Sequence, residues 1–378
     1  MTKRMFHGTE TSRRTILRAA GATGIAGGLW PTFRTPAWAQ SGEITIMTWE
    51  GYDFPDVLAA WKAEHGIEVT GIYMGSHDDI QAKILGGGGA GLDLITYGSS
   101  YKQLYSTLGI LEPIDESKIP NIGNLLPFFG SDAQNIWVDA DGTRTGVPCD
   151  WGAVGISYDS SVIADAPTSY DILFDPQFTG KVGMPDDPLG AYGQAARVLG
   201  LNSGRMTEDD FITVTNWLKD LAKQTNGVSA SYGDVSSRFI SGDIALSFLG
   251  WAAYKSFASD AGKTTIETVW PENGGGLAFS NAYAIPPGVD NPDAAYAFIN
   301  ETLRPEIQAA MATALVGGVV VSGAAELLDP GLAQLYPYDA LDEFFMLAPL
   351  QEDPPLESTE FVTRERVLTA WQEIKSAG

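Results

Sequence analysis

Apolar and polar positions recur along this chain with two alternating periods, and the switches between them lay out strands and helices in turn. Ile44-Thr45-Ile46-Met47-Thr48 is rich in β-branched residues and reads as a strand that ends at Trp49-Glu50-Gly51-Tyr52. Val57, Leu58 and Trp61 then recur at helical spacing until Gly66 stops the pattern, and Ile67 to Tyr73 is strand again. Ser76 with Asp78 and Asp79 suits a helix start for Ile80 to Leu85, and Leu92 to Thr96 is the next buried strand. Such β/α alternation predicts a parallel sheet. Ligands of open α/β sheets sit beyond the carboxyl ends of the strands, which here means Trp49 to Tyr52 and Tyr97-Gly98-Ser99-Ser100-Tyr101.

Further along, Ile136-Trp137-Val138 and Thr143 to Pro148 flank Asp139-Ala140-Asp141-Gly142, a hairpin signal. After Cys149-Asp150-Trp151-Gly152 a second α/β stretch starts at Val154 to Tyr158. It includes a helical Phe211 to Lys223 and a strand Ile244 to Leu249, and it reaches Thr268-Val269-Trp270. Ala282 to Pro286 reads as a strand returning to the first stretch, and Asn291-Pro292 starts a helix with a capping Asn and Pro at its first position. Two crossings, near 150–152 and 276–281, would form a hinge.

Composition narrows the class. Ser12-Arg13-Arg14-Thr15-Ile16-Leu17, the apolar run from Ala19 to Trp30 and Ala37-Trp38-Ala39 read as a twin-arginine export leader of residues 1–39, which places the mature chain in the periplasm. Gln40 rather than a cysteine follows the cleavage point, and Cys149 is the only cysteine of the sequence, so neither a lipid anchor there nor a disulfide is expected. Six of the 23 basic residues and one of the 47 acidic ones lie in the leader, so the remainder carries 17 against 46 and a net charge of −29. That balance argues against nucleic acid and anionic membranes as partners and would draw a cationic ligand, although surface acid also serves solubility alone. His65 and His77 are the only histidines beyond the leader and have no metal-ligand spacing; no metal or cofactor is called for. The glycine run at 86–89 lacks the Gly-Lys-Ser/Thr continuation of a phosphate loop. An exported hydrolase using paired carboxylates is the rival class.

Taken in order, the strand ending at Trp49 with Tyr52, Ala90 to Leu94, Leu111-Glu112-Pro113-Ile114-Asp115, Val147-Pro148 with Trp151-Gly152, Val269 to Gly275, Ala284-Ile285-Pro286 and Leu303-Arg304-Pro305-Glu306 resemble the periplasmic solute-binding proteins of ABC importers, in their spermidine/putrescine branch. The resemblance implies a two-lobed α/β fold of the type II kind, with discontinuous lobes (43–150 with 280–325, and 151–279 with 326–378) joined by a hinge. It also implies a monomer that holds a small cationic ligand between the lobes and delivers it to permease subunits in the inner membrane.

Polyamines need carboxylates at their charges and aromatic faces along their methylenes, where a cation–π contact contributes about 0.5 to 2 kcal/mol. The family pattern then points to Trp49, Tyr52, Ser99, Asp187 and Phe279 as ligand contacts, with Trp251 close to another. Asn281 stands where an aspartate is expected, Gly190 where a second acid often follows Asp187, Gly318 in place of a tyrosine, and Glu50 one position from the usual acid. Fewer carboxylates should weaken binding of a multiply charged amine unless Glu50, Asp150 and Asp186 compensate; otherwise the ligand is a smaller amine, an amino acid or another zwitterion. Asp150 and Trp151 complete the candidate site. Several also have a packing role: Trp49 and Trp251 as core aromatics, Asp187 as a helix cap before Pro188, Asp150 as a solvated hinge residue. No Lys or Arg falls in the strand-end loops, so a carboxylate-bearing ligand is expected to find no counter-charge there.

Overall fold

The computed structural model describes residues 42–74, 77–130, 136–139 and 141–377, so the leader and the Ser76 helix cap lie outside the described residues. The strands are β1 (Gly42–Thr48), β2 (Ile67–Tyr73), β3 (Leu94–Gly98), β4 (Val147–Asp159), β5 (Val182–Gly183), β6 (Leu246–Trp251), β7 (Ile266–Val269) and β8 (Leu277–Ala284). The helices before β4 are α1 (Ala59–His65), α2 (His77–Gly87) and α3 (Lys102–Thr107). Between β5 and β8 come α4 (Pro188–Val198), α5 (Glu208–Ala222), α6 (Tyr232–Ser241) and α7 (Ala253–Asp260). Then follow α8 (Pro292–Thr302), α9 (Pro305–Leu315), α10 (Pro330–Ala333), α11 (Leu341–Leu347) and α12 (Arg364–Lys375).

Local sequence explains the ends of these elements. Gly66 closes α1 in the left-handed conformation at φ 62°, which costs a glycine nothing. Thr207 and Asp210 form a reciprocal capping box on α5, while Asn291 caps α8 with Pro292 at its first position.

The sheet runs in the order β2-β1-β3-β8-β4-β6-β5, with β7 also paired to β4. The β/α alternation predicts a parallel sheet, and only part of the sheet is parallel: β1 pairs in parallel with β2 and β3, and β5 with β6. β8 runs antiparallel to β3 and β4, and β4 antiparallel to β6 and β7, because the chain returns to the first half of the sheet from the far side.

Two large cores flank this sheet. Ile44, Phe54, Leu94, Trp151, Phe298 and Val320 belong to one; Ile156, Tyr170, Met184, Leu218, Phe248 and Trp371 belong to the other. β4 is the strand that joins them. Its Val147, Cys149, Trp151 and Ala153 pack in the first core and Val154, Ile156 and Tyr158 in the second. The segments read as hinge crossings are therefore paired with one another, Asp150 opposite Asn281 and Gly152 opposite Phe279. Tyr336, Phe344, Phe345 and Ala348 pack in the first core, whereas Val367, Trp371 and Ile374 of α12 pack in the second.

Candidate functional site

Side chains alternate across a strand, so Asp150 and Gly152 of β4 share one face with Phe279 and Asn281 of β8. Asn281 Nδ2 donates to Asp150 Oδ1 at 2.8 Å and to the Tyr52 hydroxyl at 3.3 Å, and that hydroxyl donates to Asp150 Oδ2 at 2.7 Å. Asp150 is only 3 % exposed. Burial pushes its pKa up to about 6, against the pull of the hydrogen bonds from Tyr52 and Asn281. Tyr52 is held protonated by burial and by the carboxylate beside it. The Phe279 ring lies over Gly152, where any Cβ would stand 2.4 Å from Cζ.

Next to this pair, the Gly98 amide at the end of β3 donates to His77 Nε2 at 2.8 Å, so a neutral ring carries its proton on Nδ1. Burial and the Arg364 guanidinium push His77 down to a pKa of about 3. Its ring stacks on Tyr101 with centroids 3.9 Å apart and is tilted against Trp49 at 5.2 Å. Arg364 reaches the same tyrosine: Cζ lies 4.3 Å from the ring centroid and Nη2 donates to the hydroxyl. Trp49, His77, Tyr101 and Arg364 thus form one column, which crosses from residues packed with β1 and β3 to the first turn of α12.

On the side of the second core, Asp187 caps α4. Its Oδ1 accepts from the Gly190 amide at 2.9 Å and its Oδ2 from the Tyr232 hydroxyl at 2.8 Å, and burial raises its pKa. Tyr232 stands edge-on to Trp251 at 6.2 Å, and the buried Trp251 Nε1 has no hydrogen-bond partner among the described residues. Asp353 lies near both groups. Its Oδ1 accepts from Gln351 at 2.6 Å, its buried Oδ2 has no well-formed hydrogen bond among the described residues, and desolvation raises its pKa against the pull of Gln351, Arg364 and the Ser100 side chain.

A family model for bacterial extracellular solute-binding proteins matches residues 56–331, well over half of the chain. The chain belongs to that family. The solute-binding protein is 27% identical over 302 residues to the spermidine/putrescine-binding periplasmic protein of Escherichia coli strain K12, covering 79% of this chain and 84% of that one. It is 26% identical over 378 residues to the putrescine-binding periplasmic protein SpuD of Pseudomonas aeruginosa, covering 89% and 93%. The crystal structure of the spermidine/putrescine ABC transporter substrate-binding protein PotD from Streptococcus pneumoniae superposes with a TM-score of 0.74 at 22% identity, over 89% of this chain and 99% of that one. The fold is that of the two-lobed periplasmic substrate-binding proteins.

Among the residues read from sequence, Tyr52, Asp150 and Asn281 are joined by hydrogen bonds. Phe279 lies on the same face, and Trp49 and the half-buried Ser99 adjoin it through the column and the turn after β3. Asp187 and Trp251 meet through Tyr232. Trp151 stands apart: it is fully buried among Phe129, Tyr336, Phe344 and Phe345, its indole N–H donating to Val319 O at 3.0 Å. Glu50 is exposed, and its charge acts on Tyr73 at the end of β2. Asp186 is tied to Trp371 and Lys375.

Two departures from the family pattern have steric reasons. A Cβ at Gly190 would lie 2.4 Å from Asp187 Oδ2, and one at Gly318 would lie 2.4 Å from Trp151 Nε1. An anionic group is expected from sequence to find no counter-charge at the strand-end loops; Arg364, from a helix remote in sequence, stands against Tyr101 in one of them. Sequence reasoning also passed over His77, Tyr232 and Asp353. One signal was available for Arg364: a cation in the first turn of a helix opposes the macrodipole, so its position needs a tertiary reason.

Proposed function

We propose that this solute-binding protein is the exported, monomeric receptor of an ABC importer, not an enzyme, and that it carries a small aliphatic amine to permease subunits in the inner membrane. Its names as polyamine binders belong to the relatives; what supports the reading here is the run of carboxylates and aromatic rings around β4 and β8. Asp150, Asp187 and Asp353 offer negative charge, while Trp49, Trp251 and Phe279 offer faces for methylenes and ammonium groups. The two cores are the two lobes, with residues 43–153 and 278–350 in one and 154–277 and 351–377 in the other. β4 and β8 are the connections that flex when the lobes close.

Calorimetric titration of the mature protein with putrescine, spermidine, short amino acids, a sugar and a dicarboxylate tests the ligand class. Heat from an amine-bearing solute, weakening as salt rises, is the expected result. Binding of only the sugar or the dicarboxylate would remove the amine assignment and leave the receptor role intact. Export by the twin-arginine route is tested by replacing Arg13 and Arg14 with Lys, which should abolish periplasmic accumulation.

A further inference from the structure

We infer that the ligand is a short zwitterion, its ammonium received by Asp353 and its carboxylate by Arg364. This rests on the amine-receptor reading above and specifies the other end of the molecule.

Arg364 and Asp353 are opposite charges on adjoining segments, where the Arg364 amide donates to Pro355 O at 2.9 Å, and the guanidinium is close enough to pull down the pKa of the Asp353 carboxyl. Yet no ion pair joins them among the described residues. Arg364 instead donates to the Tyr101 hydroxyl and stands 3.8 Å from the exposed Asp78, while the buried Asp353 Oδ2 has no well-formed hydrogen bond among the described residues beyond the pull of the Ser100 side chain on this carboxylate. An unpaired buried carboxylate oxygen is costly, which makes it a natural receptor for an ammonium group. The guanidinium presents a planar fork of five N–H donors, of which the tyrosine hydroxyl takes one direction, and such a fork fits a carboxylate in a bidentate manner.

The surroundings supply the rest. Tyr101 fixes the guanidinium from below by stacking, and His77, on whose ring Tyr101 lies, is neutral near pH 7 and adds no repulsion for the ammonium end. The other charged groups near this wall are Asp78, mostly exposed, and Asp187, whose two oxygens are already occupied by Gly190 and Tyr232. A diamine would therefore bring its second ammonium against Arg364. The absence of acids at Gly190 and Asn281, where the family pattern carries them, fits a ligand with one positive charge fewer.

The matched probes are putrescine and 4-aminobutanoate, which share an ammonium and a short methylene chain and differ in whether the far end is an ammonium or a carboxylate. Calorimetry on the mature protein should show 4-aminobutanoate binding at least tenfold more tightly than putrescine. Arg364→Gln should weaken 4-aminobutanoate at least thirtyfold and leave putrescine unchanged or tighter. Asp353→Asn should weaken both. Arg364→Lys, which keeps the charge and loses the fork, should weaken 4-aminobutanoate by an intermediate factor, and an unchanged melting curve will show that it folds. If putrescine binds the native protein as tightly as 4-aminobutanoate and Arg364→Gln leaves that ratio unchanged, the zwitterion inference is overturned and Arg364 only bridges α12 to Tyr101, while the amine receptor stands. Binding of neither amine, alongside a neutral or dianionic solute, overturns both.

Discussion

Asn281 donates 2.8 Å to Asp150 across the β4–β8 ladder, and the two are register partners, so whatever occupies position 281 is held against a buried carboxylate. The amide satisfies that carboxylate without adding charge. An aspartate there would place two carboxylates in contact, and such a pair releases its protons in two steps well separated in pH. Asn281→Asp should therefore melt close to the native protein at pH 5, when the pair holds a proton, and well below it at pH 8. It should also tighten diamines relative to monoamines. Equal loss at both pH values would show that the amide's donor geometry, not charge, matters.

Asp150 and His77 pull the pH dependence of stability in opposite directions. The folded pKa of Asp150, about 6, lies above its unfolded value of about 3.9, so the native state binds the extra proton and this group's contribution falls as pH rises from about 4 to 6. His77 is lowered to about 3 from about 6.5, so its contribution is lost as pH falls below about 6.5. Removing each in turn should separate them. Asp150→Asn should make the protein more acid-sensitive between pH 6 and 4, and His77→Gln less so, as read from urea midpoints across that range.

Gly318 and Trp151 exchange backbone hydrogen bonds, Gly318 N to Trp151 O at 2.7 Å and Trp151 N to Gly318 O at 3.3 Å, with the indole packed over the glycine. Gly318→Ala should cost about 1 to 3 kcal/mol by overpacking a fully buried ring. Gly123→Ala, with nothing within 4 Å of its Cβ, serves as the control and should be near neutral. Denaturant titration with tryptophan fluorescence will compare them.

Asp187 separates a cap from a charge. Asp187→Asn keeps an oxygen for the Gly190 amide and should change stability by less than about 1 kcal/mol. Asp187→Ala removes the cap and strands the buried Tyr232 hydroxyl, for a loss of about 2 to 3 kcal/mol. Equal melting of the two variants would mean that the cap contributes nothing.

The chain by itself determined the order of strands and helices, the capped starts at Asp187 and Asn291, and the strand ends bearing Trp49, Tyr52 and Ser99, because these follow from local periodicity and turn chemistry. It also placed Asp150, Asn281 and Phe279 near the crossings between the two halves. Tertiary structure decided which half of the sheet runs antiparallel, since strand direction depends on where the returning β8 pairs. It put Trp151 in a core rather than a pocket, because an aromatic residue after a hinge position looks the same in sequence whichever face it takes. Above all it brought Arg364 and Asp353, from the last part of the chain, against Tyr101 and Ser100. Contacts between residues some 250 positions apart leave no periodic trace in a sequence; only the packing of α12 against the second core fixes where its first residue points.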